Sequence, residues 1–210
     1  MTRGLRRFHQ SRQTHFLTIS CYHRRAKFNS PETCDLFLAC LEKMRLRFEM
    51  RIYGYVVMSE HVHLLVSEPD RKTLADAMHF LKLSFAKRLK SIVPMVPQVR
   101  GRSVAANLGQ TQPRECLVPS TPFWQKRYHD RNVRDEEEFI VKLRYLHRNP
   151  VARGLVMAPA DWKWSSFRHY TTGVEGRVGI ESEWTARKRE REAGTLCTAV
   201  ELPHSSQKRA

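Results

Sequence analysis

The chain has 210 residues, with 37 Lys and Arg against 21 Asp and Glu, and a formal charge of +16. Its 41% hydrophobic and 10% aromatic content supplies a core and excludes a wholly disordered basic tail, while the length fits one domain with extensions or two small ones. The apolar runs are too short to span a bilayer, and no hydrophobic segment or cleavage site follows the basic start MTRGLRRFHQ, so neither a membrane span nor a secretory signal is expected.

His15–His23 (HFLTISCYH) alternates and is rich in β-formers, which predicts a strand. Ser30 is placed to cap a helix with Pro31 at its first position. In that helix Leu36, Phe37, Cys40, Leu41 and Met44 recur at spacings of three and four. Ile52–Ser59 and His61–Ser67 predict a hairpin with a tight break at Ser59-Glu60. Thr73–Ser91 predicts a second helix, with Leu74, Met78, Leu81 and Phe85 on one face and Lys82, Lys87, Arg88 and Lys90 on the other.

Residues 92–122 hold Pro94, Pro97, Gly101, Gly109, Pro113, Pro119 and Pro122 with no period, the pattern of a flexible insertion. Phe123–Val133 predicts a fourth strand. Asp135–Asn149 predicts a helix: its first turn is acidic, Asp135 and Glu138 have capping-box spacing, and Pro150 is expected to end it. The order β-α-β-β-α-β-α predicts an α+β fold, a ferredoxin-like antiparallel sheet with helices on one face. Beyond Tyr170 the chain is highly charged (EWTARKRERE) and then polar, which reads as a tail or accessory helix rather than core. The expected organisation is a domain over 1–170, carrying the 92–122 insertion, and a charged C-terminal extension over 171–210.

The charge bears on partners. A large positive surplus repels itself, so a polyanion that relieves it is a natural partner, nucleic acid first and an anionic membrane second. The surplus is uneven: no Asp or Glu precedes Glu32, while Arg3, Arg6, Arg7, Arg12, Arg24, Arg25 and Lys27 do. The cysteines, Cys21, Cys34, Cys40, Cys116 and Cys197, are odd in number and form no C-x-x-C pair. They read as reduced packing thiols of a cytoplasmic protein, not as a disulfide scaffold or zinc ribbon.

His61-Val62-His63 places two imidazoles on one face of a strand, because side chains at i and i+2 share a face. Val62, Leu64 and Val66 then point to the opposite face and anchor the strand. Such a pair is half of a metal site, and it is also a common pattern on half-exposed strands. Tyr145 and Asn149 are four apart and share a helical flank, distinct from the burying stripe Phe139, Ile140, Leu143 and Leu146. An amide oxygen suits a hard divalent ion, and a tyrosine beside such an ion can act as a nucleophile. The plainer readings are a core-edge tyrosine and a helix C-cap before proline.

His61-Val62-His63 resembles the HUH motif, in which the middle residue is a bulky hydrophobe. YLHRNPVARGLV (Tyr145–Val156) followed by DWKWSSFRHY (Asp161–Tyr170) resembles the signature of the REP-associated tyrosine transposases. These are relatives of the single-tyrosine HUH transposases of small bacterial insertion sequences. The resemblance runs from His15 to Tyr170, interrupted by the insertion. It implies the HUH endonuclease fold and a single-stranded DNA endonuclease and strand-transfer enzyme acting at hairpin, REP-like elements through a 5′-phosphotyrosine intermediate. Carried over by position, Tyr145 is the nucleophile, and His61, His63 and Asn149 are ligands of a Mg²⁺ or Mn²⁺ ion.

The implied partner is a single-stranded DNA hairpin. Arg24, Arg25 and Lys27 follow the first strand, and Lys126, Arg127, Arg131 and Arg134 interleave with Trp124, Tyr128 and His129 as in single-strand grooves. Arg148 lies beside the nucleophile. For each arginine the plain alternative is a solvated surface charge. Trp162 and Trp164 are expected to pack the segment after the last helix against the core. A non-catalytic, domesticated hairpin-binding protein is the alternative function. A metal hydrolase of small phosphate esters is disfavoured, since no carboxylate lies in the HUH triplet or in the Tyr145–Asn149 turn. The resemblance points to a nucleoid-associated cytoplasmic protein, monomeric in preference to dimeric.

Overall fold

The computed structural model describes residues 13–92 and 122–200. The strands are β1 (Thr14–Ser20), β2 (Ile52–Val57), β3 (His61–Ser67) and β4 (His129–Val133), and the helices are α1 (Pro31–Phe48), α2 (Leu74–Ile92), α3 (Glu136–Ala152), α4 (Phe167–Thr172) and α5 (Glu183–Val200). All strands pair antiparallel in the order β2-β3-β1-β4. This is the ferredoxin-like arrangement expected from the order of elements. The insertion expected over 92–122, the basic start, Cys116 and the end of the polar tail lie essentially outside the described residues.

The period of two along each strand sorts the core into two layers. Leu17 and Ile19 of β1 and Val62, Leu64 and Val66 of β3 join Phe37, Leu41 and Met44 of α1 and Met78, Leu81 and Phe85 of α2 in one cluster. The sequence placed the helices on one face; α1 and α2 share it, and α3 does not. On the other face Phe16, Val56, Met58, Leu65 and Val133 meet Leu146, with Phe139 and Leu143 packed beside it. Thus α3 lies across the opposite face, the face that carries His61 and His63.

Local chemistry sets the helix ends. Ser30 caps α1, its Oγ accepting from the backbone N–H of Thr33 at 3.3 Å, and Asp135 caps α3 by accepting from Glu138 N–H at 2.7 Å. Pro150 does not end α3, which runs on to Ala152. A proline in the last turn removes a single hydrogen bond, and the turn is closed instead by Arg153 N–H donating to the Asn149 carbonyl at 3.0 Å. Gly154 then leaves the helix at φ +66°, a conformation glycine adopts without strain.

Two further expectations are corrected. The fourth strand starts at His129 rather than Phe123. Trp124 forms only an isolated bridge with Cys21, because its indole turns into the core and breaks the ladder. The chain beyond Tyr170 is not all tail. Val178 and Ile180 are buried in the α1–α2 cluster, and Glu181 N–H donates to the Ile52 carbonyl at 2.8 Å. Two apolar residues among many charges gave too weak a period to be seen. The charged run itself forms α5. Among the described residues no helix is long and apolar enough to cross a membrane.

A buried polar group ties β4 to β1 and β3. His15, 1% exposed, bonds Asp130 at 2.8 Å through Nδ1 and Glu68 at 3.3 Å through Nε2. Burial alone would lower the His15 pKa, but the bond and charge of Asp130, reinforced by Glu68, outweigh it and raise it above 6.5. The fold therefore holds this proton more tightly than the unfolded chain. Its stabilisation is complete below pH 6.5 and is lost as pH rises through the raised folded value. His15→Asn is expected to cost about 3 kcal/mol in denaturant unfolding at pH 6, with the gap to the parent protein shrinking as pH is raised. A gap that widens with pH would refute this account.

Candidate active site

Three elements build the site. His61 and His63 sit on β3, Thr18 and Phe16 on the neighbouring β1, and Tyr145, Arg148 and Asn149 on α3. The register sets Thr18 opposite His63 and Ser20 opposite His61. Both imidazoles are buried, 2% and 5% exposed, and their Nε2 atoms face each other at 3.0 Å. The outer nitrogens are held by other partners: His63 Nδ1 lies 2.9 Å from Thr18 Oγ1, and His61 Nδ1 lies 3.1 Å from Glu60 Oε1.

Glu60 gathers several groups at the tight turn between β2 and β3. It accepts a short hydrogen bond from the Ser59 hydroxyl and pairs with Arg153 at 3.5 Å, just past the end of α3. Burial would raise its pKa, but hydrogen bonds from Ser59 and His61 help lower it overall, so it is an ionised acceptor at neutral pH. The imidazoles move the other way. Burial lowers the pKa of His61 against the pull of Glu60, and burial together with His61 and Arg153 lowers that of His63 to about 3. Both rings are neutral near pH 7, the form that offers a lone pair to an ion.

The nitrogen pair fits a divalent ion. Bonds of about 2.1 Å to nitrogens this far apart meet at about 90°, the angle between neighbouring octahedral ligands. Among the described residues no group of three or more His, Cys, Asp or Glu is placed to hold a metal. Further donors would have to be amide oxygens or water, as a hard ion prefers.

Tyr145 does face this pair. Its ring centroid is 5.5 Å from that of His63 and 6.0 Å from that of Phe16, which stacks on His63 at 5.2 Å. It is 52% exposed, so one side of the ring packs on the sheet and the other is open to solvent. Asn149 is 5% exposed and lies inside α3, with Arg153 as the capping residue, so the C-cap reading is set aside. Both residues line an open groove of about 450 Å³ with Arg144, Arg148 and Arg153. Arg144, Arg153, Glu60 and Thr18 were not singled out from the sequence. Arg153 lies inside the YLHRNPVARGLV signature and Glu60 directly precedes the HUH triplet, so adjacency was the available signal.

What seats α3 here is a close approach to β2. A bulge in β2 between Ile52 and Gly54 turns both Tyr53 and Gly54 toward α3, where Tyr53 meets Phe139. A Cβ on Gly54 would lie 2.8 Å from Leu143 Cδ1, so any larger residue there would require the Leu143 side chain to shift. The segment after α3 then pairs with the free edge of β2. Val57 N–H donates to the Trp164 carbonyl at 2.9 Å, Ser166 N–H to the Tyr55 carbonyl at 3.0 Å, and the Trp162 indole to the Val57 carbonyl at 2.9 Å. His147 of α3 closes the clasp, its Nε2 2.8 Å from Ser166 Oγ. Trp162 and Trp164 thus pack this segment on the sheet as expected.

The expected DNA contacts divide. Arg24 and Arg25 are exposed on a turn with left-handed φ of +53° at His23 and Arg24; it folds over the Ser59-Glu60 turn, and the charge of Arg24 reaches His61. Lys126 and Arg127 are exposed where Gln125 joins Ser20, at the His61 end of the sheet. Arg148 is exposed on the groove. Arg134 is exposed but follows Val133, which pairs with Thr14 at the far end of the sheet. Lys27 is committed to the Pro122 carbonyl at 2.7 Å and Arg131 to Glu138 at 2.8 Å.

Trp124 is corrected outright. It is 7% exposed among Phe28, Phe37, Phe85 and Phe123, so its faces pack protein rather than bases. The free thiols Cys21, Cys34 and Cys40 are buried, and burial pushes Cys21 and Cys34 up to about 12, as unreactive packing groups.

Residues 9–149 match the protein family described as "Transposase IS200 like". The chain is 27% identical over 112 residues to a protein of Haemophilus influenzae provisionally described as a REP-associated tyrosine transposase; the match covers 53% of this chain and 55% of that protein, about half its length. It is 22% identical over 162 residues to the REP-associated tyrosine transposase of Escherichia coli, covering 77% of this chain and 81% of that one. The solved structure of a REP-associated tyrosine transposase bound to a REP hairpin has the same fold, with TM-score 0.60 and 17% identity over 100% of this chain and 99% of that chain.

Because Trp124 belongs to the core, Trp124→Ala is expected to cost about 3–5 kcal/mol in urea unfolding. Exchanging Lys126 and Arg127 for Ala should leave stability within about 0.5 kcal/mol. Equal stability of Trp124→Ala and the parent chain would return that indole to the surface.

Proposed function

The chain belongs to the family of IS200-like transposases, and from that premise we propose that it cleaves and rejoins single-stranded DNA at hairpin elements, with Tyr145 as the nucleophile. The observation that carries this reading is the half-exposed Tyr145 ring 5.5 Å from His63, whose Nε2 lies 3.0 Å from that of His61. His61, His63 and Asn149 would hold a Mg²⁺ or Mn²⁺ ion, which when bound supplies polarisation of a non-bridging phosphate oxygen.

The side chains of the chain do the rest. Tyr145 reaches the groove from the solvent side of α3, where a single strand can lie without being threaded into the core. Its phenolic oxygen attacks the phosphorus in line and its proton passes to water. The bond to the 3′ oxygen breaks, and that oxygen leaves as a 3′-hydroxyl after taking a proton. The product is a 5′-phosphotyrosine, which keeps the ester bond so that a second 3′-hydroxyl can reverse the step without an external energy source. Arg144 and Arg148, which have no ion pair among the described residues, flank the phenol and offset the phosphate charge. Arg24, Arg25, Lys126 and Arg127 ring the His61 end of the sheet and supply salt-sensitive backbone attraction, consistent with the +16 charge.

The test is a denaturing gel with labelled hairpin DNA and Mn²⁺. The parent chain is expected to give an adduct that survives denaturation. Tyr145→Phe, which lacks the attacking oxygen, should abolish it, and so should His63→Ala at matched DNA occupancy. Tight, salt-dependent hairpin binding without any adduct would instead favour a non-catalytic hairpin-binding protein.

A further inference from the structure

We propose that Glu60 is a positioning residue that locks His61 in the tautomer able to bind an ion, and that it joins this lock to the end of α3. The inference rests on reading the His61–His63 pair as a metal site and adds a residue outside the ligand set. Glu60 Oε1 lies 3.1 Å from His61 Nδ1 and 3.5 Å from the Arg153 guanidinium, with the Ser59 hydroxyl donating to the same carboxylate. A carboxylate only accepts, so His61 Nδ1 must carry the proton and His61 Nε2 must present its lone pair.

His63 is held differently. Its Nδ1 faces the Thr18 hydroxyl at 2.9 Å, a group that donates or accepts equally well. With the Nε2 atoms 3.0 Å apart, the two rings cannot both direct lone pairs at each other without a cation between them. In the free protein His63 Nε2–H therefore donates to His61 Nε2, and Thr18 donates to His63 Nδ1. With an ion bound, the His63 proton sits on Nδ1 and the Thr18 hydroxyl turns to accept it. The number of protons is unchanged. Glu60 fixes one ring so that only the other has to switch.

The geometry also separates this role from direct ligation. Glu60 contacts the Nδ1 edge of His61, and the paired Nε2 atoms lie on the other edge. Sharing their ion would require the carboxylate to abandon both His61 and Arg153.

The experiment uses the full chain labelled with ¹⁵N-histidine. NMR with and without Mg²⁺ reads the tautomers, and electron paramagnetic resonance reads Mn²⁺ binding. In the parent chain His61 should stay Nδ1-protonated throughout, while His63 passes from the Nε2–H to the Nδ1–H form as Mg²⁺ is added. Glu60→Ala should populate both His61 tautomers even without ion and weaken Mn²⁺ binding by about 10–100-fold. Glu60→Gln, whose amide oxygen still accepts from Nδ1–H, should stay within about threefold of the parent. The proposal is overturned if Glu60→Ala keeps His61 wholly Nδ1-protonated and binds Mn²⁺ within about twofold of the parent. If the parent and His63→Ala bind Mn²⁺ equally, the metal reading itself fails, and the ion-free His61 tautomer still decides the grip of Glu60.

Discussion

The seat of α3 on the sheet is the constraint from which the site follows. β3 presents two imidazoles to one face whatever else the chain does, because strand geometry allows no other outcome. They become more than a polar blemish on that face only when the helix carrying Tyr145 lies over them. That helix buries few apolar side chains, with Leu146 fully enclosed and Phe139 and Leu143 partly so. At roughly 1.5–3 kcal/mol for each fully buried side chain, this is a modest attachment for an element that must hold a phenol in place. The clasp of residues 162–166 on the edge of β2, and the bond from His147 to Ser166, supply the missing register. They also satisfy the backbone of an edge strand that would otherwise invite pairing with another chain.

This arrangement explains why so much of the recognised signature is not chemistry. In YLHRNP, Tyr145 and Asn149 face the groove, while His147 and Leu146 hold the helix down. In DWKWSSFRHY, Trp162 and Ser166 bond β2, and Tyr170 donates to the Tyr53 carbonyl at 2.6 Å. Burial keeps His147 neutral, at a pKa of about 4, so the clasp persists at neutral pH. Gly54 has the same purpose from the other side of the contact: its missing side chain is the space that Leu143 occupies.

The electrostatics of the site are asymmetric in a way that suits a polyanion. The charges of Arg24 and Arg153 act on His61 and that of Arg153 on His63, and Glu60 is the acidic group placed against them. These two guanidinium groups disfavour protonated histidine. That field adds to burial in keeping both rings neutral near pH 7.

Much of this was legible in order along the chain. Alternation in HFLTIS and HVHLLVS, the Ser30-Pro31 and Asp135 caps, and the three-and-four spacing of α1 and α2 are local rules, and local rules survive folding. The shared face of His61 and His63 and the shared flank of Tyr145 and Asn149 follow from the same periodicities. Contacts between elements distant in sequence were not legible. Trp124 looked like a stacking platform because it lies among basic residues, yet four aromatic rings, Phe28, Phe37, Phe85 and Phe123, pack around it. Val178 and Ile180 looked like part of a tail because a strand-edge partner is invisible in a window of charged residues. Lys27 and Arg131 looked free until the chain brought a carbonyl and a carboxylate to them. Periodicity fixes which way a side chain points from its own backbone. Only the tertiary structure decides what it meets there, because burial and pairing depend on the other element.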